Sequence, residues 1–208
     1  MSDSLDPYSN SAGTDEDSMR SVKPTFIQIQ SDIHLHSLAI SRYTNQNSVP
    51  MFDLTCGIRL RAFRSETELD LDSILSLYND TRVAPLISER FVIPRGQKLK
   101  DEFKDLIEKS AEMFCIIETI PPSPSESAPQ STPLPQFIGI TGFRGRQERG
   151  HRHVNYSIVL IPEFWGKGFG TAITKFMVDY AFRHLNMHRI SLEVYEGNDR
   201  AAAVFRKQ

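Results

Sequence analysis

The sequence predicts a single α/β domain of the α+β kind, and three observations support this prediction. A chain of 208 residues, of which 39% are hydrophobic, is long enough to bury one core and leave tails. Apolar residues of 168–185 recur with the period of an amphipathic helix. Short apolar or alternating segments predict strands at 57–64, 113–120, 137–143, 154–161 and 189–195.

Composition and charge argue against several classes of protein. The formal net charge of −2 gives no electrostatic reason to expect a nucleic-acid partner. No stretch approaches the roughly 18 apolar residues of a membrane span, and the polar N-terminus does not have the pattern of a secretory signal. Cys56 and Cys115 lie in apolar surroundings, which indicates buried free thiols. We therefore expect a cytoplasmic or nuclear protein without a membrane or nucleic-acid partner.

The chain divides into a polar arm and a folded domain. Residues 1–56 begin with Ser, Asp, Gly and Pro and are expected to be a poorly ordered arm, although a short strand can start at 26–29. Residues 57–208 are expected to form the folded domain. Within it, the Pro- and Ser-rich segment 121–135 is predicted to be a loop inserted between two hairpin strands.

Local patterns predict further details of this domain. Thr67 can cap a first helix, a second helix is predicted at 98–111, and Asn198 is the natural cap of a last helix at 199–207. The arginines of strand 57–64 are predicted to face outward, at Arg59, Arg61 and Arg64.

A glycine-rich loop connects strand 154–161 to the long helix. Gly166, Gly168 and Gly170 remove the side chains that would keep a ligand away from the backbone. The first amides of the helix then point outward, with the positive end of the helix dipole behind them. This arrangement is typical of a phosphate site. The alternative interpretation is a tight strand-to-helix connection that binds nothing.

Two other phosphate-binding folds fit less well. A P-loop needs Ser or Thr after Gly-Lys, whereas Lys167 is followed by Gly168. A dinucleotide-binding fold could use the same glycines with Glu196 as the ribose acid. However, only one strand and part of a helix follow the loop, which is too little for a doubly wound sheet.

From residue 154 onward the chain resembles the GNAT superfamily of acyl-CoA N-acyltransferases. The resemblance is closest to the branch that includes the ribosomal-protein N-terminal acetyltransferases. It is carried by three blocks in the family's order and spacing: 162–171, 192–194, and 198–201 with Phe205 and Lys207. Residues 57–143 fit the family's order of elements without a sharp motif.

The resemblance implies a mixed, mostly antiparallel central sheet flanked by helices. The family pattern continues after Lys207 with a Gly-aromatic pair and two more strands, so the chain is expected to lack these last two strands. Strand 189–195 would then be an exposed sheet edge.

The resemblance also implies a co-substrate and its site. Acetyl-CoA would lay its pantetheine arm beside the backbone of the strand before the loop, and Asn198 would contact the same arm. Its pyrophosphate would sit on the amides of the loop and first helical turn. The residues expected to contact acetyl-CoA are Ile158, Val159, Leu160, Gly166, Lys167, Gly168, Phe169, Gly170, Thr171 and Asn198.

The implied reaction transfers acetyl to a primary amine, either a peptide α-amine or a small amine. Glu193 matches the position from which several family members supply a base, although it could equally be a surface glutamate. The family's general-acid tyrosine falls on Phe205, which cannot protonate a leaving thiolate. This leaves open a non-catalytic acyl-CoA-binding protein or an inactive, truncated homologue.

No metal is expected. His34 and His36, and likewise His151 and His153, have a spacing that brings two imidazoles to one face of a strand. Neither pair has a third ligand nearby in sequence, and the implied reaction needs no metal.

Overall fold

The structure is a computed structural model that describes residues 25–30, 41–44, 50–88, 93–121, 134–145 and 150–206. Most of the predicted loop 121–135, together with His34, His36 and Lys207, lies outside these ranges. Within them, no helix combines the length and the apolar character needed to cross a membrane. The same ranges contain no cluster of three or more His, Cys, Asp or Glu residues that could hold a metal ion.

The strands and helices are arranged around one sheet. The strands are β1 (Thr25–Gln30), β2 (Ser41–Thr44), β3 (Pro50–Leu54), β4 (Ile58–Ala62), β5 (Ala111–Thr119), β6 (Phe137–Arg144), β7 (His153–Leu160) and β8 (Arg189–Val194). The α-helices are α1 (Leu69–Asn79), α2 (Gln97–Asp105), α3 (Phe169–Arg183) and α4 (Asp199–Phe205). A π-helical turn, Leu106–Ser110, continues α2 to the start of β5.

The eight strands form a single sheet in the order β1-β8-β7-β6-β5-β4-β3-β2. Every neighbouring pair is antiparallel except β7 and β8, which run parallel. The predicted mixed, mostly antiparallel sheet is therefore confirmed.

Helices cover both faces of this sheet and bury two apolar clusters. On one face, α3 contributes Ile173, Phe176 and Met177 to the larger cluster, and α4 adds Phe205. On the other face, α1 and α2 bury a smaller cluster around Ile74, Leu77, Leu99 and Phe103. Consecutive residues of β7 point to opposite clusters, because side chains alternate across a strand.

The parallel pair β7–β8 separates soon after it begins. Only three residues of each strand pair, His153–Asn155 with Arg189–Ser191. Beyond Asn155, β7 continues to Leu160 without a β8 partner. A gap therefore opens in the middle of the sheet, and the cavities of the functional site lie at this gap.

The segment before residue 57 supplies three strands, which corrects the expectation of a loose arm and of an exposed β8. All six residues of β1 pair with β8, from Thr25 opposite Val194 to Gln30 opposite Arg189. Ile29 is buried opposite the fully buried Ile190. Because β1 satisfies the backbone groups on the far side of β8, β8 is an interior strand.

Arg61 is buried, although strand alternation predicts that it faces outward. Its guanidinium donates to the carboxylates of Asp70 on α1 and Glu118 on β5, each at a shortest distance of 2.7 Å. Two carboxylates compensate for removing the arginine charge from water. The helix α1 lies over this face of β4, so the face expected to meet solvent is an interior one.

Two smaller expectations also fail. Helix α1 begins at Leu69, so Thr67 does not cap it, and Glu68 at the cap position makes no side-chain cap bond. Cys115 is buried as predicted, and burial raises its pKa to about 12. Cys56 is exposed instead, since it lies in the turn between β3 and β4.

Candidate functional site

The glycine loop turns the chain from β7 into α3. Gly166 and Gly168 have φ angles of +73° and +82°, in the left-handed region that side chains rarely adopt. A Cβ atom at either position would meet nothing within 4 Å. These two glycines are therefore needed for backbone conformation, and the space beside them is open.

The N-terminus of α3 carries uncapped backbone amides. Gly168 occupies the cap position and supplies no side-chain cap bond to the first turn. The first main-chain bond of the helix runs from the Ala172 N–H to the Gly168 carbonyl at 3.1 Å. The amides of Phe169, Gly170 and Thr171 precede it, so they have no carbonyl partner within the helix. Together with the helix dipole, they form an arrangement suited to an anion.

Positive side chains flank this loop. The Lys167 Nζ lies 4.8 Å from the centroid of the Phe164 ring. The Arg200 guanidinium, at the start of α4, lies 5.3 Å from the centroid of the Trp165 ring. Trp165 is itself fixed, because its indole N–H donates to the Leu160 carbonyl at 2.8 Å. Both cations rest on aromatic rings beside the open amides.

A cavity of about 420 Å³, which we call the loop cavity, lies between the glycine loop, β7 and α4. Eight of the ten residues predicted to contact acetyl-CoA line it: Ile158, Val159, Leu160, Gly166, Gly168, Gly170, Thr171 and Asn198. The other two lie outside its lining. Lys167 is exposed, and Phe169 packs on Phe164 with ring centroids 5.9 Å apart.

The backbone N–H and carbonyl groups of successive β7 residues point alternately toward β6 and toward the gap. The Ile161 N–H donates to Ile138 on the β6 side at 2.8 Å. With Ile140 opposite Val159, the antiparallel pattern directs the Val159 N–H and carbonyl at β6 as well. The backbone groups of Ile158 and Leu160 therefore face the gap. The expectation that Val159 offers its backbone to a ligand is corrected by this register.

A second cavity of about 240 Å³, which we call the aromatic cavity, lies on the other side of the gap. It is lined by side chains of α1, α2, β5, β6, β7 and β8, including Tyr78, Phe103, Phe114, Arg144, Glu193 and Tyr195. Ile158, Asn198 and Phe205 line both cavities, so the two adjoin. Their junction lies where β7 and β8 separate.

Glu193 lies on the face of β8 that opens to the aromatic cavity. Leu192 and Val194 are buried, whereas Glu193 is exposed and Tyr195 is half-buried. Burial therefore alternates along this segment, with Glu193 and Tyr195 on the more exposed face. Phe26 of β1 pairs with Glu193 across the sheet.

Asn198 caps α4, as predicted, and also joins α4 to a distant turn. Its Oδ1 accepts from the Ala201 N–H at 3.2 Å. Its Nδ2 donates to the carbonyl of Leu86, also at 3.2 Å. Leu86 ends the short 3₁₀ turn Ala84–Leu86, and it lines both cavities. Both ends of the Asn198 side chain are therefore engaged within the protein.

Phe205 packs against a tyrosine that the sequence does not single out. The rings of Phe205 and Tyr156 meet edge to face, with centroids 6.2 Å apart. The Tyr156 hydroxyl lies 3.2 Å from the Thr174 Oγ1 on α3, inside the core. Burial raises the pKa of Tyr156 to about 12. The only sequence feature that indicates a buried Tyr156 is its position among the alternating apolar residues of β7.

Tyr78 and Phe103 are further cavity residues that the sequence assigns only to helix faces. Their rings meet edge to face with centroids 5.0 Å apart, and Phe103 contacts Phe114 in the same way at 6.4 Å. Burial raises the pKa of Tyr78 to about 12 despite the positive charges of Arg144 and Arg95. A helical stripe does not distinguish a core residue from one that lines a cavity.

The fold and the site define an acetyltransferase domain. Residues 58–208 match the family model of the Acetyltransferase (GNAT) domain, and the chain therefore belongs to this family.

Particular relatives are spermidine N-acetyltransferases. The Spermidine N(1)-acetyltransferase of Escherichia coli (strain K12) is 37% identical over 57 residues, which are 27% of this chain and 31% of that protein. The Vibrio cholerae enzyme of the same name is 36% identical over 55 residues, 26% of this chain and 32% of its own. The matched segments thus span about a third of the length of these relatives.

A solved structure supports the fold over a longer region. The spermidine N-acetyltransferase from Vibrio cholerae, in complex with CoA and spermine, superposes with a TM-score of 0.55. The superposition covers 73% of this chain and 79% of that chain, at 24% sequence identity. At this identity the likeness concerns the fold alone.

Proposed function

We propose that this protein is an N-acetyltransferase that moves acetyl from acetyl-CoA to a primary amine, either a peptide α-amine or a small amine. The observation that carries the proposal is the junction of two cavities at the β7–β8 gap. One cavity lies beside uncapped helix amides and the other contains a carboxylate. We assign the acetyltransferase domain to residues 57–208, with β1–β3 joined to its sheet. Membership of the ribosomal-protein branch stays a prediction.

The loop cavity suits acetyl-CoA in two respects. The first-turn amides of α3, with Lys167 and Arg200 nearby, match the charge of a pyrophosphate. The backbone groups of Ile158 and Leu160 that face the gap are suited to hydrogen bonds with the amides of the pantetheine arm. The Leu160 carbonyl already accepts from Trp165, and a carbonyl oxygen has a second lone pair to offer.

In the proposed reaction, the acceptor amine attacks the thioester carbonyl from the aromatic cavity. An alkylamine with a pKa near ~10 is mostly protonated at neutral pH, so it must first lose a proton. Glu193 accepts that proton directly or through water. A C–N bond forms, the nitrogen gives its second proton to water, and the C–S bond breaks, which yields a neutral amide and the CoA thiolate. The thiolate is a stable leaving group and takes its proton from water, since Phe205 offers none.

A second candidate acceptor is a polyamine. The relatives named above are spermidine N(1)-acetyltransferases. The same site would then acetylate one primary amine of a longer cation. An enzyme for either acceptor would use the same coenzyme site and the same base. The two candidates would therefore be distinguished only by the contacts that the acceptor makes in the aromatic cavity.

The coenzyme site is tested by a matched pair of glycine variants. Gly168 and Gly57 both have φ of +82°, and a Cβ at either meets nothing within 4 Å. Alanine should therefore cost each position about 1–2 kcal/mol of stability through the same backbone strain. Only Gly168→Ala should also weaken acetyl-CoA binding, by ~1–3 kcal/mol, because it moves the amides that hold the phosphates. Isothermal titration calorimetry measures both affinities, and equal affinities would contradict the assignment.

A further inference from the structure

The aromatic cavity contains few charged groups. Among the lining residues in the described part of the chain, Glu193 is the one carboxylate and Arg144 the one cation. The other polar side chains of the lining are neutral at physiological pH, and they include Tyr78 and Tyr195. The remaining walls are apolar, and aromatic rings of α1, α2 and β5 form one of them.

Positive charge is already present at this aromatic wall. The Arg95 guanidinium lies 6.0 Å from the centroid of the Tyr78 ring. Arg144, which ends β6, is close enough to act electrostatically on the same tyrosine. An aromatic face is a good place for an ammonium group only when no other cation competes for it.

Resting on the function proposed above, we infer that the acceptor is a primary amine with an apolar, preferably aromatic, substituent and no second positive charge. The amine lies near Glu193 at the gap, and its substituent packs against Tyr78, Phe103 and Phe114. The cavity volume of about 240 Å³ accommodates a substituent of the size of a phenylethyl group. Arg144 disfavours an acceptor that carries further ammonium groups along its chain.

The free-energy cost of placing a second ammonium group in the aromatic cavity explains this selectivity. The amine that reacts uses the Glu193 carboxylate, so an additional cation would lie against a lining whose described residues offer it no second carboxylate. A cation that gives up part of its hydration there gains no ion pair in return. It would also approach Arg144, whose like charge repels it.

The test compares two primary alkylamines, 2-phenylethylamine and spermidine, in a CoA-thiol release assay with acetyl-CoA. We expect kcat/KM to be at least about tenfold higher for 2-phenylethylamine, the scale of one unpaired charge. A kcat/KM that is equal or higher for spermidine would overturn the inference and leave the proposed function intact. If calorimetry shows bound acetyl-CoA and neither amine is turned over, the inference is overturned, and turnover of a peptide α-amine then decides whether the proposed function stands.

A charge reversal separates the cavity's electrostatics from general effects of charge. Arg144 is exposed at a strand end, so Arg144→Glu should fold. The new carboxylate should raise the spermidine/2-phenylethylamine ratio of kcat/KM by about tenfold. Lys98→Glu makes the same change of charge at an exposed α2 position outside the cavity lining, and it should leave the ratio unchanged. Equal ratios in the two variants would show that Arg144 does not select the acceptor.

Discussion

At the scale of single residues, the proposed chemistry depends on where Glu193 points. The buried neighbours Leu192 and Val194 fix the orientation of β8 and direct Glu193 to the aromatic cavity. The sequence alone leaves Glu193 equally open to a catalytic and a surface role. The structure adds its position in the lining of the aromatic cavity, which a linear motif does not contain.

Replacing Glu193 with Gln should lower kcat by about 10²–10⁴-fold, because the amide cannot take the amine proton. The affinity for acetyl-CoA, measured by calorimetry, should stay the same. Glu196→Gln is the matched control, since Glu196 is exposed just beyond β8 and lies outside the aromatic cavity's lining. Equal kcat values for the two variants would assign Glu193 a surface role.

The buried Asp70 gives a prediction about pH. Burial alone would raise the pKa of Asp70, but hydrogen bonds from the Arg61 guanidinium and the Arg64 amide outweigh it and lower the pKa. The carboxylate therefore stabilises the fold above its unfolded pKa of about 3.9, and this contribution is lost as pH falls through the folded value.

Urea unfolding at pH 6 and pH 3 measures this contribution of Asp70. Asp70→Asn should lower the free energy of unfolding by about 1–3 kcal/mol at pH 6 and by less at pH 3. Asp72→Asn is the control, because the Asp72 side chain is 57% exposed in its ion pair with Lys100. Its effect should stay below about 1 kcal/mol. An Asp70→Asn effect that is the same at both pH values would contradict the lowered pKa.

At the scale of elements, the strand–loop–helix unit could be predicted and the N-terminal strand could not. The glycine loop and the apolar stripe of α3 are local patterns, so they were readable from residues 154–185 alone. The pairing of β1 with β8 joins segments far apart in the chain. Its only local signal is a short apolar group at 26–29, which is equally compatible with a loose arm.

The docking of β1 is tested by one buried and one exposed position. Ile29 is 7% exposed and pairs with Ile190, so Ile29→Ala should lower the free energy of unfolding by about 2–3 kcal/mol. Gln28 faces solvent on the same strand, and Gln28→Ala should change it by less than about 0.5 kcal/mol. Urea unfolding measures both. Equal, small effects would mean that β1 does not pack on β8.

At the scale of the whole molecule, the sequence predicted the domain class and the coenzyme loop more completely than the acceptor side. Motif residues such as Gly166, Gly168 and Gly170 lie within five consecutive residues of the chain and line one cavity. Tyr78, Phe103 and Arg144 come from separate elements, and only the folded sheet brings them together. The burial of Arg61 could not be predicted from the sequence for the same reason, because it depends on partners in α1 and β5.

The central claim is that the two adjoining cavities form one transferase site. The most direct test is the release of CoA thiol from acetyl-CoA, measured with the purified 208-residue chain in the presence and absence of primary amines. We predict that release depends on the amine, saturates with its concentration, and exceeds the background hydrolysis of acetyl-CoA. Release that stays at the hydrolysis rate with every amine, while calorimetry shows bound acetyl-CoA, would contradict it and indicate a protein that binds the coenzyme without transferring its acetyl group.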